Sequence, residues 1–148
     1  MELLRITDPN DPTARKIIAD DPVRPHIPLE QRINDTAEML ILKAGEEILA
    51  ATCMTWLRDI PKDEADLIAM KDSKDVAVFY TIWSYSPGAG QTLIKQAADM
   101  ILREYNTVKD IVTLSPQTEM AKRFHHKNGA QTYRENETSV NYRYYHKD

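Results

Sequence analysis

The sequence predicts a mixed α/β sheet, because an antiparallel hairpin is followed by a strand–helix–strand unit and then by a helix and terminal strands. The hairpin is indicated by two β-like runs, 37–43 and 47–57, which are joined at Ala44-Gly45. The strand–helix–strand unit begins with the most apolar run of the chain, 76–83, which belongs near the middle of a sheet.

The remaining elements follow from helical spacing, prolines and charge. Leu93, Ile94 and Ala97 recur on one stripe, which predicts a helix over 91–105. Ser115-Pro116 combines an N-cap residue with proline at the first helical position, which predicts that the last helix starts there. The other predicted elements are a strand at 3–7, a helix at 12–19, a short helix at 28–33, a helical turn at 64–70, and strands at 111–114, 131–134 and 138–145.

The length and amino-acid composition are those of a chain that can build a hydrophobic core. It has 148 residues, of which 42% are hydrophobic and 28% charged, and we expect a single domain over 1–148. A net charge of −4 gives no positive field for nucleic acid or an anionic membrane, and no window approaches a membrane span. Because Cys53 is the one cysteine, we expect no internal disulfide, no cysteine-rich metal site and a reducing cytoplasm. The oligomeric state stays open.

A glycine turn after the apolar strand is a candidate anion site. The turn Gly88-Ala89-Gly90 stands where the strand gives way to a helix, and the N–H groups at a helix start have no partners within the helix. No charged residue lies between Val76 and Ile94, so an anion such as a pyrophosphate would be held by backbone N–H groups and the helix dipole. A tight structural connection is the alternative interpretation of the same turn.

Two half-motifs stand about thirty residues apart. They are Tyr85-Ser86-Pro87-Gly88-Ala89-Gly90 followed by Leu93, and Thr118-Glu-Met-Ala121-Lys-Arg-Phe124-His125-His-Lys-Asn-Gly129-Ala130. In both, the chain resembles the GNAT superfamily of acyl-CoA-dependent N-acyltransferases, in which a Gln/Arg-x-x-Gly-x-Gly/Ala turn follows a strand and a later helix starts with Asn-x-x-Ala. The resemblance covers about 76–130. Tyr85 and Thr118 depart from the family pattern.

This resemblance implies an α+β fold, with a mixed, mostly antiparallel central sheet flanked by helices. It also implies an N-acyltransferase that moves an acetyl or other acyl group from acetyl-CoA to an amine acceptor. The backbone of Trp83 and Ser84 would pair with the pantetheine arm of coenzyme A. The N–H groups that would meet its pyrophosphate belong to Gly88, Ala89, Gly90, Gln91 and Thr92. The Thr118 hydroxyl would bond the pantetheine, although capping of the helix explains it as well.

His125 is the catalytic residue that the resemblance implies. It stands four residues after Ala121, where the family commonly has a tyrosine that protonates the departing thiolate. Imidazole can donate a proton near neutral pH, whereas exposure near a helix C-terminus is the plainer explanation of His125 and His126. We identify no general base, because the strand over 76–83 contains no carboxylate.

Other classes of function compete with acyl transfer. A non-catalytic GNAT-like module that binds an acyl-CoA, or acts in protein interactions, is favoured by the departures at Tyr85, Thr118 and His125. An unrelated α/β binding protein would use the glycine turn only structurally. A dinucleotide fingerprint lacks its third glycine, a Walker loop lacks its Gly-Lys-Ser/Thr, and the histidines form no metal-ligand pattern.

Overall fold

The computed structural model describes residues 1–71 and 73–148, which form one seven-stranded sheet with helices on both faces. The strand order is β1-β2-β3-β4-β5-β7-β6, and among these pairs only β4 and β5 are parallel. The strands are β1 (Glu2–Ile6), β2 (Ala37–Ala44), β3 (Glu47–Leu57), β4 (Val76–Ser84), β5 (Asp110–Thr113), β6 (Gln131–Glu135) and β7 (Val140–His146). The helices are α1 (Pro12–Ile17), α2 (Leu29–Arg32), α3 (Asp66–Ala69), α4 (Ala89–Glu104) and α5 (Glu119–Lys127). The predicted mixed, mostly antiparallel sheet is confirmed.

The centre of the sheet bends at one residue of β4. Cys53 pairs with Thr81 and Met54 with Phe79, so Tyr80 is the extra residue of a β-bulge. A bulge bends its strand and increases the local twist. This bend comes just where β4 loses its parallel neighbour.

β4 and β5 separate beyond the bulge. Their parallel pairing runs from Val76 opposite Asp110 to Phe79 opposite Thr113, and the Leu114 N–H donates a last bond of 3.0 Å to the Phe79 carbonyl. β5 ends there, whereas β4 continues to Ser84 beside β3. The sheet therefore opens along one edge of β4.

Two hydrophobic cores cover the two faces of the sheet. On one face, Leu93, Ile94 and Ile101 of α4 are fully buried against alternate side chains of the central strands, as the predicted helical stripe requires. The other face holds Ala14 and Ile17 of α1 and the remaining strand side chains. In the part of the chain that the structure describes, no helix is long and apolar enough to cross a membrane.

The last helix starts later than Ser115-Pro116, so that prediction is wrong. α5 begins at Glu119, and its N-cap is Thr118, whose hydroxyl accepts a bond of 3.2 Å from the Ala121 N–H. Ser115 exchanges backbone hydrogen bonds of 2.9 Å with Val140 and so belongs to the sheet. Pairing with the sheet outweighs the local preference for a helix start at the Ser-Pro pair.

A buried ion pair ties the segment after α1 to the sheet. Arg32 is fully buried, and its Nη1 donates to Asp21 Oδ2 at 2.8 Å. The Thr81 hydroxyl of β4 and the N–H groups of Val23 and Arg24 donate to Asp21 Oδ1 at 2.7, 2.8 and 3.0 Å. Burial raises the pKa of Asp21, but these hydrogen bonds outweigh it and hold the pKa below 3.8.

Candidate active site

A cavity of about 600 Å³ occupies the opening between β4 and the chain after β5. Two walls are residues 79–84 of β4 and residues 114–116, which follow β5. A third wall is formed by α5, through four of its residues and its N-cap Thr118. Pro22, Val23 and Gly90 of α4 complete the lining. Among the described residues that line it, none is Asp, Glu, Lys or Arg. The space therefore suits an elongated and largely apolar ligand group.

The glycine turn lies at one end of this cavity. Gly88 has a φ of +79°, which a glycine adopts without strain, and it stands directly before the sixteen-residue helix α4. No side chain caps this helix start. A Cβ on Gly90 would lie 2.7 Å from Ser84 Oγ and 3.6 Å from the Phe124 ring. Because Gly90 has no side chain, α4 can pack close to Ser84 of β4 and to Phe124 of α5 at the edge of the cavity.

His125 lies at the other wall, inside a chain of hydrogen-bonded side chains. It is only 5% exposed, so the expectation of an exposed histidine near the helix end is wrong for His125. Its Nε2 is 3.3 Å from the Ser115 oxygen, and its Nδ1 is 2.6 Å from the Tyr144 hydroxyl. The Ser115 hydroxyl in turn donates to Thr113 Oγ1 at 2.7 Å.

The roles of the two imidazole nitrogens depend on the tautomer. In the tautomer that has its proton on Nε2, the Ser115 oxygen accepts from Nε2–H while its own proton goes to Thr113, and Nδ1 accepts from the Tyr144 hydroxyl. Burial, and to a lesser degree the neighbouring His126, lowers the pKa of His125 from 6.5 to about 4, and burial raises the pKa of Tyr144. Near pH 7 the imidazole is therefore neutral, and in this tautomer Nε2 carries its one N–H proton.

The structure places the predicted site residues in two groups. Trp83, Ser84, Gly90, Thr118 and His125 all line the cavity. The other predicted residues, Gly88, Ala89, Gln91 and Thr92, lie in the turn and the first turn of α4.

Three residues of the hydrogen-bonded chain were missed by the sequence analysis. The sequence pattern predicts a helix cap at Ser115, a short strand at Thr113 and a terminal strand at Tyr144. The available signal was the polar pair Thr113 and Ser115 at the end of an otherwise apolar strand, since alternate residues of a strand share one face. Nothing local in the sequence brings Tyr144 to His125.

Tyr142 and Cys53 are packed in the protein interior. Tyr142 is buried and stacks on the His125 ring at a centroid distance of 5.0 Å. Cys53 is buried, and burial raises the pKa of its thiol to about 11. Over residues 1–71 and 73–148, no three His, Cys, Asp or Glu side chains gather in a way that would hold a metal ion.

Comparisons with known proteins find similarity to solved structures. No protein-family model matches the chain, and no curated protein sequence does. A malonyl-CoA decarboxylase from Agrobacterium vitis superposes with a TM-score of 0.68 at 24% identity, over 82% of this chain and 34% of that one. This chain thus spans about a third of the length of that decarboxylase, and similarly of two others that match at 21% and 26% identity.

N-acetyltransferases match over nearly their whole length. The Campylobacter jejuni N-acetyltransferase PseH in complex with acetyl coenzyme A superposes with a TM-score of 0.63 at 13% identity, over 96% of both chains. The GNAT domain of S. lividans PAT gives a TM-score of 0.65 at 11% identity, over 96% of this chain and 88% of that one. Together with the opened sheet and the glycine turn, these likenesses show that this chain has the fold of the GNAT superfamily.

Proposed function

We propose that this chain binds an acyl-CoA and acts on its acyl thioester at Ser115, His125 and Tyr144. The observation that carries the proposal is the buried, neutral His125, whose Nε2 lies at the cavity wall while Nδ1 is bonded to Tyr144. A helix start without a side-chain cap and an apolar cavity fit the pyrophosphate and the pantetheine arm respectively. In this assignment the predicted turn residues meet the pyrophosphate, and Trp83, Ser84 and Thr118 border the arm.

Decarboxylation of a malonyl-type acyl group is the reaction that the site favours. It needs no general base, and none of the described residues lining the cavity has a carboxylate. An apolar cavity also favours loss of charge from a carboxylate that water would otherwise stabilise. The proteins with 21–26% identity are malonyl-CoA decarboxylases, whereas the acetyltransferases match at 9–13%.

The proton balance assigns a role to each side chain. The bond between the carboxylate carbon and Cα breaks, carbon dioxide leaves, and the electron pair enters the thioester enolate. Cα then takes a proton from the Nε2–H of His125, and the Tyr144 hydroxyl, 2.6 Å from Nδ1, returns a proton to the ring. The starting state returns when Nε2 takes a proton from solvent and Nδ1 gives its proton back to the Tyr144 phenolate, so each turnover consumes one proton. Ser115 holds the imidazole in the tautomer that this transfer requires.

Transfer of an acetyl group to an amine is the second candidate. It is favoured by the N-acetyltransferases that match over 95–96% of both chains, one of them with acetyl coenzyme A bound. In this reaction His125 would protonate the departing thiolate, and a water would have to deprotonate the amine. A GNAT-like module that binds acyl-CoA without turnover is the third outcome of the experiment below.

The deciding experiment follows binding and products separately. We expect coenzyme A at about a hundred times its dissociation constant to stabilise the fold by about 2.7 kcal/mol. We then expect malonyl-CoA to be converted to acetyl-CoA and carbon dioxide. Release of free thiol only when acetyl-CoA and an amine are both supplied would instead establish N-acetyl transfer. Binding without any product would leave the non-catalytic module, and unchanged melting at millimolar coenzyme A would refute the proposal.

The glycine turn supplies a separate test of where the pyrophosphate binds. Gly90→Asp places a carboxylate and a Cβ where the backbone must approach the ligand, so we expect coenzyme A affinity to fall at least about tenfold. Gln96→Asp adds the same charge nearly two turns farther along α4 and should change affinity little. Circular dichroism checks that both variants fold. Equal affinity in the parent and in Gly90→Asp would place the anion elsewhere.

A further inference from the structure

Thr113 is a buried residue that the proposed chemistry does not use. It is the last residue of β5, and it stands one residue before the cavity wall, which begins at Leu114 on this segment. The Ser115 hydroxyl donates to its Oγ1 at 2.7 Å, and the Tyr142 N–H donates to the same oxygen at 3.1 Å. A hydroxyl oxygen has two lone pairs, so these two donors fill the acceptor capacity of Thr113.

The backbone of Thr113 is held from two sides. In the sheet, Thr113 pairs with Phe79 of β4, and on the other side its carbonyl accepts from Asn141 Nδ2 at 2.8 Å. Asn141 is fully buried, and its Nδ2 also donates to the Pro61 carbonyl at 2.9 Å. The Thr113 side chain is stiff at χ1 because its Cβ is branched. The Thr113 hydroxyl therefore has a fixed position beside Ser115.

Two acceptors are within reach of the Ser115 proton. Thr113 Oγ1 is 2.7 Å away, close to the usual O–H···O distance of about 2.7–2.8 Å. His125 Nε2 is 3.3 Å away, which is longer than the usual distance of about 2.9–3.0 Å between nitrogen and oxygen. The shorter contact favours Thr113 as the acceptor. Ser115 Oγ then presents a lone pair to Nε2, which has to carry a proton itself to complete that hydrogen bond.

The other side of the imidazole is consistent with the same tautomer. The Tyr144 hydroxyl is 2.6 Å from Nδ1, and it donates to that nitrogen when Nδ1 carries no proton. Rotation of the His125 ring is hindered, because the ring is buried and stacks on Tyr142. Tyr142 thus holds the plane of the imidazole with its ring, and it holds Thr113 with its N–H.

We propose that Thr113 is a positioning residue that sets the tautomer of His125. By accepting the Ser115 proton, it keeps the proton of the neutral imidazole on Nε2. Thr113 acts through Ser115 and not on the substrate. For turnover this inference rests on the proposed function, in which the Nε2–H of His125 protonates Cα. The tautomer itself is a property of the protein without ligand, so it can be measured whether or not an acyl-CoA is converted.

The first test is nuclear magnetic resonance of the imidazole nitrogens in the ¹⁵N-labelled parent at pH 7. The chain has four histidines, and the signals that are absent from His125→Phe identify those of His125. A protonated ring nitrogen and an unprotonated one resonate at different frequencies, and we expect the parent to carry the His125 proton on Nε2. A parent that carries this proton on Nδ1 would overturn the inference. This arm needs no change at Thr113.

Thr113→Val removes the acceptor and keeps the shape of the side chain. The Ser115 proton is then free to turn to Nε2, so we expect molecules with the proton on Nδ1 to appear. Thr113→Ser keeps a hydroxyl and should retain the parent tautomer. Thr132→Val is the matched control, because it removes a hydroxyl that is 2.8 Å from Nε2 of the neighbouring His126, and the His125 signals should stay unchanged. A folded Thr113→Val with the parent tautomer would also overturn the inference, and where this variant fails to fold the tautomer of the parent still decides.

Turnover separates failure of this inference from failure of the proposed function. If the parent converts malonyl-CoA, we expect Thr113→Val to lower kcat at least about tenfold, because the wrong histidine tautomer costs a serine protease about 10⁴-fold in rate. KM and coenzyme A affinity should change little, and Thr113→Ser should recover most of the rate. If the parent has the Nε2 tautomer but converts no acyl-CoA, the role of Thr113 stands and the proposed reaction falls. An equal kcat in the parent and in a Thr113→Val protein whose tautomer has changed would refute a role in the reaction.

Discussion

His125→Phe should lower turnover by about 10²- to 10⁴-fold while leaving coenzyme A affinity within a factor of a few. The expected loss follows from removing the imidazole that hands the proton to the substrate in the proposed mechanism. Phenylalanine preserves a ring that can stack on Tyr142, so packing changes little. The measurement is the rate of whichever product the parent forms, acetyl-CoA from malonyl-CoA or an acetylated amine, together with the dissociation constant for coenzyme A.

His126→Phe is the neighbouring control. His126 is exposed, and its Nε2 is 2.8 Å from Thr132 Oγ1 on the outer strand β6, so its replacement should leave the rate nearly unchanged. If His125→Phe and the parent turn over at equal rates, the proton is carried by another group. Loss of coenzyme A affinity together with rate would instead indicate that His125 only shapes the cavity.

The low pKa of His125 predicts a pH dependence as well. Since the pKa in the folded protein is about 4, the imidazole stays neutral well below pH 6.5, and we expect no fall in rate near pH 6.5. The unfolded chain binds this proton near pH 6.5, whereas the folded protein resists it until about pH 4. The free energy of unfolding should therefore decrease as the pH drops from 6.5 towards 4.

The sequence predicts the fold correctly wherever the local residue pattern and the pairing of the strands agree. The hairpin of β2 and β3, joined at Gly45, and the apolar stripe of α4 have the predicted order and nearly the predicted limits. The start of α5 was not readable, because Ser115 follows a strand whose pairing with Val140 extends past the Ser-Pro pair. A cap motif carries no information about such distant pairing.

The sequence predicts only those parts of the candidate site that lie within one continuous segment. The turn at Gly88–Gly90 and the position of His125 lie within continuous motifs, so a family resemblance reaches them. The partners of His125 come from the end of β5 and from β7. Such contacts depend on sheet order and register, which no single segment of the sequence specifies.

Arg32→Met should lower the free energy of unfolding at pH 7 by about 3–5 kcal/mol, the usual cost of leaving one partner of a buried ion pair alone. Arg32 and Asp21 both have side chains with no exposed surface, so water cannot replace the lost guanidinium. Denaturant unfolding of the parent and the variant gives the difference. Arg15→Met, whose side chain reaches only the exposed Asn10, is the matched control and should stay within about 0.5 kcal/mol of the parent.

A double variant and a comparison at two pH values separate the charge of Asp21 from its packing. Removing both charges in Asp21→Asn with Arg32→Met should recover part of the loss, because no uncompensated carboxylate then remains. In the parent, the pKa of Asp21 lies below its unfolded value, so its stabilisation is present above about pH 3.8 and is lost as the pH falls through the folded pKa. Without Arg32 that pKa rises, and Asp21 becomes neutral at a higher pH. The cost of Arg32→Met should therefore be smaller at pH 4 than at pH 7, and an equal cost at both would mean that packing, rather than the unpaired charge, accounts for the loss.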